Sequence, residues 1–304
     1  MAVSQKRGWS KWEPRVTETM TTPDVSAVAT KRPSGTRLAN LWIRDRWFRI
    51  VVMLLALFFA GIVLGPIAVS WSPVETEYHA RNQGPGGGHL LGTDSMGRDT
   101  LARALAGGKI SILIGVAGML LAFWFGGVVG LAASALGGIA DTIYFGFIDL
   151  LRAMPGPLLS ITLVVSLGQG IAPVVIALGF VYSPMFSRMA RSLYRREMAM
   201  DYVVYSQANN ASVLSVMRRH VAPNLYGTFL TQCSIVFPRA IVTESVLSFL
   251  GMGVSPETPT WGKMISIESP FFEANPLAVL VPVVFLSLFT TLFAVLGTKL
   301  RSAE

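Results

Sequence analysis

Ionisable side chains in this sequence are separated by four long gaps. No Asp, Glu, Lys or Arg occurs over residues 50–74, 110–140, 153–187 or 274–298, runs of 25, 31, 35 and 25 residues. Roughly 20 apolar residues suffice to cross a bilayer core. The pattern predicts a first membrane helix over about 47–69, headed by Arg44, Arg46 and Arg49, and a second over about 110–136. The longest gap exceeds one crossing and is punctuated by Gly168-Gln169-Gly170. It divides into two short proline-bearing helices, 154–167 and 171–187, joined by a tight turn. A fifth helix is expected over about 225–250 and a sixth over 276–296, giving an all-α integral membrane protein with six spans.

Composition agrees with this reading. Of 304 residues, 52% are hydrophobic and 14% charged, where a soluble domain has roughly a quarter charged. Too few polar side chains remain to clothe a soluble exterior, which excludes ordinary cytosolic, disordered and disulfide-rich classes. The single cysteine, Cys233, has no disulfide partner, and His79, His89 and His220 show no metal-ligand spacing, so no metal site is expected. Residues 1–43 form a polar tail, expected to be largely disordered. A signal peptide is not expected, because no cleavage pattern follows the first apolar run.

The net charge of +8 acquires its meaning from its distribution. Six spans put both termini on one side, together with residues 140–152 and 188–224. That side collects nineteen basic and nine acidic residues, against five basic and seven acidic on the other. Lys and Arg accumulate on the cytoplasmic face, so both ends are expected in the cytoplasm. The charge is a topology signal, and nucleic-acid binding is set aside.

The cytoplasmic segment 188–224 is far longer than a connection requires. Residues 187–205 can form one helix with Arg188, Arg191, Arg195 and Arg196 near the membrane. Asn209-Asn210 then suits a sharp bend, and Val213, Val216 and Met217 give the next segment a short apolar face. The elbow reads either as a solvated loop or as a docking element for a soluble partner.

Three stretches carry a family resemblance. Asp201-Tyr202-Val203, Ala208, Ala211-Ser212 and Arg219-His220-Val221-Ala222-Pro223-Asn224 resemble the coupling loop of ABC importer permeases. His89-Leu-Leu-Gly-Thr-Asp-Ser-Met-Gly-Arg-Asp-Thr-Leu-Ala-Arg103 is similar to the segment before the second span in dipeptide/oligopeptide permeases of the DppC/OppC type. Glu244-Ser-Val-Leu-Ser-Phe-Leu-Gly-Met-Gly-Val254 and Pro259-Thr-Trp-Gly262 resemble the end of their fifth span and the loop after it. The likeness covers residues 44–300 in consistent order. It implies the type I (MetI-like) importer fold over 44–304, with Asp201, Tyr202, Ser206, Gln207, Ala208, Asn209, Asn210, Ala211 and Ser212 as the ATPase-coupling loop. The family loop usually carries Glu-Ala-Ala and then Gly, where this chain has Val204-Tyr205-Ser206 and Asn210. The missing glutamate removes a carboxylate that would meet a basic group on the ATPase, a role for which Asp201 is the candidate substitute.

The resemblance further implies partners: a homologous second permease (DppB-like), one or two ABC ATPase subunits (DppD/DppF-like), an extracytoplasmic binding protein (DppA-like), and surrounding lipid. ATP and Mg are expected on the ATPases and no cofactor on this chain. Its Ala106-Gly-Gly-Lys-Ile-Ser111 lacks the first glycine of a phosphate loop and the Ser or Thr that would hold magnesium. Import of di- or oligopeptides is the implied function; nickel or haem import on the same architecture and a self-sufficient secondary carrier are the alternatives.

Three further features invite a role. In the external segment, Asp94–Arg98 and Asp99–Arg103 have the i,i+4 spacing of ion pairs, and Thr93 or Asp94 can cap a helix. In the second span Gly118, Ala122, Gly126, Gly130, Ser134 and Gly138 form a small-residue stripe suited to close helix packing. Period four drifts by about 40° per step in an α-helix, so the stripe is expected to serve two neighbours. In the fifth span Arg239 and Glu244 lie about 140° apart around the helix, and each costs roughly 2.5–3.5 kcal/mol mid-membrane. They are candidates to line a polar path and meet a peptide terminus, or to pair with other helices.

Overall fold

The computed structural model describes residues 42–43, 45–68, 72–86, 88–208, 215, 222–255 and 257–302. The polar tail up to residue 41 and the elbow residues Asn209, Asn210, Ala211 and Ser212 lie outside the described residues. The chain is all helical in its main elements: α1 (Arg46–Ala68), α2 (Thr100–Leu136), α3 (Gly138–Ala153), α4 (Gly156–Leu167), α5 (Ile171–Met198), α6 (Asp201–Ala208), α7 (Ala222–Phe249), α8 (Trp261–Glu268) and α9 (Pro276–Ser302).

Four of these, α1, α2, α5 and α9, are long and apolar enough to cross a membrane, and α3 with α4 makes a fifth if that pair is one span. At 12 residues α4 is about 18 Å long and cannot cross alone. The sequence reading of a third span over 154–167 is therefore corrected: α4 is the second arm of a pair bent by 99°. The bend falls at Pro155, which disfavours a helical conformation at Met154. Residues 140–152, read as a loop, are the amphipathic first arm. α7 equals α5 in length, 28 residues, but Gln232, Arg239 and Glu244 interrupt its apolar sequence.

Contacts at the helix ends sort them onto two sides. Asp45 caps α1 through the backbone N–H groups of Trp47 and Phe48, and Lys299 near the end of α9 reaches its other oxygen at 2.6 Å. At the opposite side, the Gln169 side chain donates to the Gly251 carbonyl and the Gly170 N–H to that of Gly253. Ser95 binds Glu268, and Asn275 binds the Thr93 carbonyl.

α2 is the axial element, packed on α1, α5, α7 and α9. One core joins Ile114, Val164, Leu178, Ala240 and Leu247; a second, largely aromatic, joins Ile62, Leu105, Phe237, Trp261 and Phe289. The small-residue stripe seats α5. A Cβ added at Gly118 would lie 2.7 Å from Leu178, at Gly126 2.2 Å from the Ser183 carbonyl oxygen, and at Gly130 3.3 Å from the Ser187 Cα. All three positions meet α5, and Gly130 also meets the Tyr144 hydroxyl of α3 at 3.2 Å, the second of the two neighbours expected. Contact with α5 is kept through a π-helical turn over Phe123–Val129, whose i→i+5 bonding widens the turn and cancels the drift of a period-four pattern. Tyr144 of α3 secures the irregularity: its hydroxyl bonds the carbonyl of Phe125 at 2.5 Å and the Ser187 hydroxyl at 2.8 Å.

Candidate functional site

Two of the three family-like stretches, 89–103 and 244–262, converge on one node on the Gly251 side of the molecule. Thr260 caps α8 by accepting the Lys263 N–H. Trp261 is completely buried, its indole N–H donating to the Ala104 carbonyl and its backbone N–H to Ser111 Oγ. Gly107 and Gly108 of α2 exist for this contact, since a Cβ at Gly108 would sit 2.7 Å from the Trp261 ring. The glycine pair that superficially resembles a phosphate loop is thus a seat for α8. Gly262 likewise lies against the Ser245 carbonyl, 2.3 Å from where its own Cβ would be.

Glu244 sits at the centre of the node and is completely enclosed. Ser248 donates to one carboxylate oxygen at 2.7 Å and Ser245 to the other at 3.4 Å, and the hydroxyls of Ser111 and Thr260 hydrogen-bond it as well. Ser111 and Thr260 each also accept a backbone N–H from the first turn of α8. They relay that donor-rich helix end to the carboxylate. A buried carboxylate needs such partners, and here they come from α2, α7 and the start of α8. Its placing corrects the expectation that Glu244 lines a path: no face of it is open.

Beneath α8 the segment 89–99 is an irregular turn system, mostly buried with Leu90 and Met96 exposed, and α2 begins only at Thr100. Asp94 binds Arg98 Nε at 2.6 Å as the spacing predicts, and also accepts the backbone N–H groups of Met96 and Arg98. The expected Asp99–Arg103 pair does not form. Asp99 instead caps α2 through the Ala102 N–H at 2.7 Å and binds His89 at 2.9 Å, so Asp99, and neither Thr93 nor Asp94, is the capping residue. Arg103 turns to Asp94 at 3.4 Å and to the Pro73 carbonyl. Gly92 and Gly97 adopt φ of +75° and +78°, with backbone carbonyls of Gln83 and Glu77 pressed against them, which explains both glycines of the motif. Glu268 closes the system by accepting the backbone N–H and hydroxyl of Ser95, and burial pushes its carboxyl above the ordinary glutamate value.

Arg239 points the other way. It is exposed on α7 into a cavity of about 600 Å³ between α5, α7 and α9, lined also by Tyr182, Val242, Thr243, Thr290 and Thr291. Tyr182 and Thr243 hydrogen-bond each other across the wall at 2.8 Å. Among the described residues, no ion pair includes Arg239. The sequence singled out the arginine but not the hydroxyl wall. Its members are scattered through three separate helices and carry no charge to mark them.

On the opposite side of the molecule, α5 does not continue to residue 205 as expected. It stops at Met198, and α6 restarts at Asp201 carrying Tyr202 and the backbone of Ser206, Gln207 and Ala208. The break at Ala199–Met200 is fastened by the Tyr202 hydroxyl, which donates to the buried Glu197 at 2.5 Å. Desolvation beside Glu197 and the hydrogen bond push that hydroxyl up to about 12. Asp201 is exposed. Asp141 at the start of α3 pairs with Arg191, whose guanidinium also lies 3.9 Å from the Phe145 ring centre.

Long apolar helices seated through small residues mark a multi-pass membrane component. The chain belongs to the family of binding-protein-dependent transport system inner membrane components, whose family model matches residues 118–302. It is 36% identical over 230 residues to a putative peptide transport system permease protein of Brucella abortus, covering 75% of this chain and 77% of that one. It is 30% identical over 281 residues to the dipeptide transport system permease protein DppC of Bacillus subtilis (91% and 88% covered). It is also 32% identical over 260 residues to the oligopeptide transport system permease protein OppC of Escherichia coli K12 (84% of each). These relatives bear out the DppC/OppC-type resemblance. Among solved structures, an inward-facing MetNI methionine ABC transporter matches 66% of this chain and 96% of its own with a TM-score of 0.54 at 15% identity, a likeness of fold.

Proposed function

We propose that this chain is the permease subunit of an ATP-driven importer of di- and oligopeptides in a bacterial cell membrane. The observation that carries the reading is its similarity to a dipeptide permease over 91% of its length. We assign six crossings with both ends cytoplasmic: α1, α2, the α3–α4 pair, α5, α7 and α9. The Asp45–Lys299 contact supports an even number of crossings, and the excess of basic residues on that side supports the orientation.

In this reading a homologous second permease faces the groove beside Arg239 and completes the path. ATPase subunits, which hold ATP and Mg, engage the 188–224 elbow through α6 and the residues after it. An extracytoplasmic binding protein docks on the side of the Glu268 node and releases peptide. Closure of the ATPases pushes α6, and through the Tyr202–Glu197 fastening the push reaches α5. The chain itself contributes positioning and passage, and no catalysis. Proteoliposomes containing the assembled complex should take up dialanine or trialanine only with ATP hydrolysis. Uptake by this chain alone, driven by an ion gradient, would sink the proposal.

A further inference from the structure

We infer that Arg239 is a carboxylate anchor, holding the C-terminal carboxylate of a peptide as it passes; the inference rests on reading the groove as part of the path. Arg239 lies ten residues before the end of α7, about 15 Å along the helix, well inside the span. A cation at that depth needs a partner or water, and among the described residues it has no ion pair and its side chain faces open space.

The space beside it has the dimensions of a ligand site, about 600 Å³, far more than one carboxylate side chain would fill. Among the described residues lining it, Arg239 is the one that carries a charge. A cationic solute would be repelled, and a neutral one would gain only the weaker hydrogen bonds of an uncharged acceptor. A carboxylate is matched by its planar pair of N–H donors; Thr291 and one member of the Tyr182–Thr243 pair keep a hydroxyl proton for the remaining lone pairs, while the Thr290 hydroxyl, which already donates to the Leu286 carbonyl, is an acceptor for the adjoining amide. Ile235, Val242 and Ala294 add an apolar wall, which suits an amino-acid side chain and has no use for an inorganic anion.

The test compares free acids with C-terminal amides of dialanine and trialanine, using the reconstituted complex. Arg239→Gln should lower free-acid uptake about tenfold relative to amide uptake, and Arg239→Lys, which keeps the charge and loses the planar fork, should recover part of the loss. The binding protein is identical in every sample, so a change in the acid-to-amide ratio belongs to the permease. An equal fall for acids and amides, or none, overturns the anchor. So does loss of the second permease on purification with an unaltered ratio in what assembles, which would assign the arginine to a subunit carboxylate. If the wild type takes up no amide, an unaltered free-acid rate in Arg239→Gln, or a fall that Arg239→Lys does not rescue, overturns it equally. The underlying reading is checked separately by Val242→Cys in a Cys233→Ser background, modified with a bulky charged methanethiosulfonate. Unimpeded uptake removes the groove from the path; blocked uptake here, together with an acid-to-amide ratio that Arg239→Gln leaves unchanged, keeps the path and removes the anchor. No uptake of any peptide by the wild type refutes both.

Discussion

Arg239 and Glu244 look alike in the sequence, two charges in one apolar helix, and the structure gives them opposite settings. The helical offset between them was legible; which side would be enclosed was not, because that depends on Ser111 and Thr260 arriving from distant parts of the chain. Four hydroxyls now bind Glu244. Glu244→Ala should strand them and cost about 2–3 kcal/mol, read as a lower thermal midpoint of the solubilised complex. Glu244→Gln keeps the volume and one acceptor, and should retain both assembly and uptake. Abolished uptake with an unchanged midpoint would restore Glu244 to the path. Glu268 provides the pH test. Its folded-state carboxyl lies above the unfolded value because burial penalises the charge, so the folded chain holds the proton more tightly. Stability is then full below the ordinary glutamate value and declines as pH rises through the elevated one. Glu268→Gln, tracked by thermal midpoint against pH, should gain relative to wild type across that window; parallel curves would contradict the burial.

For whole elements, period and length told most of the story. α1, α5 and α9 lie where the charge-free runs put them, extended into polar flanks that hydropathy alone could not claim. α2 begins ten residues earlier than its apolar run because Thr100 to Lys109 is held in the node, buried by α8 and the turn system. The π-turn left no sequence signal beyond the period-four stripe itself, whose mismatch with an α-helix was visible and whose resolution was not. Gly126→Val should therefore collide with the Ser183 carbonyl and destabilise the α2–α5 seam by about 1–3 kcal/mol. Gly146→Ala, in the open on α3, should be neutral or slightly stabilising. Equal thermal midpoints for the two variants would contradict the seam.

At the scale of the whole molecule, the two-sided sorting of loops was readable from Lys and Arg alone, and the contacts at both ends of the bundle agree with it. Leu90 and Ile139 are exposed at opposite ends. In a Cys233→Ser background, a membrane-impermeant maleimide applied outside intact cells should label Leu90→Cys and spare Ile139→Cys. The reverse pattern would invert the assigned orientation. The role of the elbow was legible only through its resemblance, because a bend and a short apolar face do not by themselves distinguish a solvated loop from a docking element.

The unbroken register of α2 on α5 has a mechanical corollary. Two rods locked over several turns behave as one stiff beam, and α5 measures about 42 Å from end to end. Tilting it by about 10° at the α6 end would swing the Gly170 end through about 7 Å, roughly the breadth of an extended peptide, without any helix having to melt.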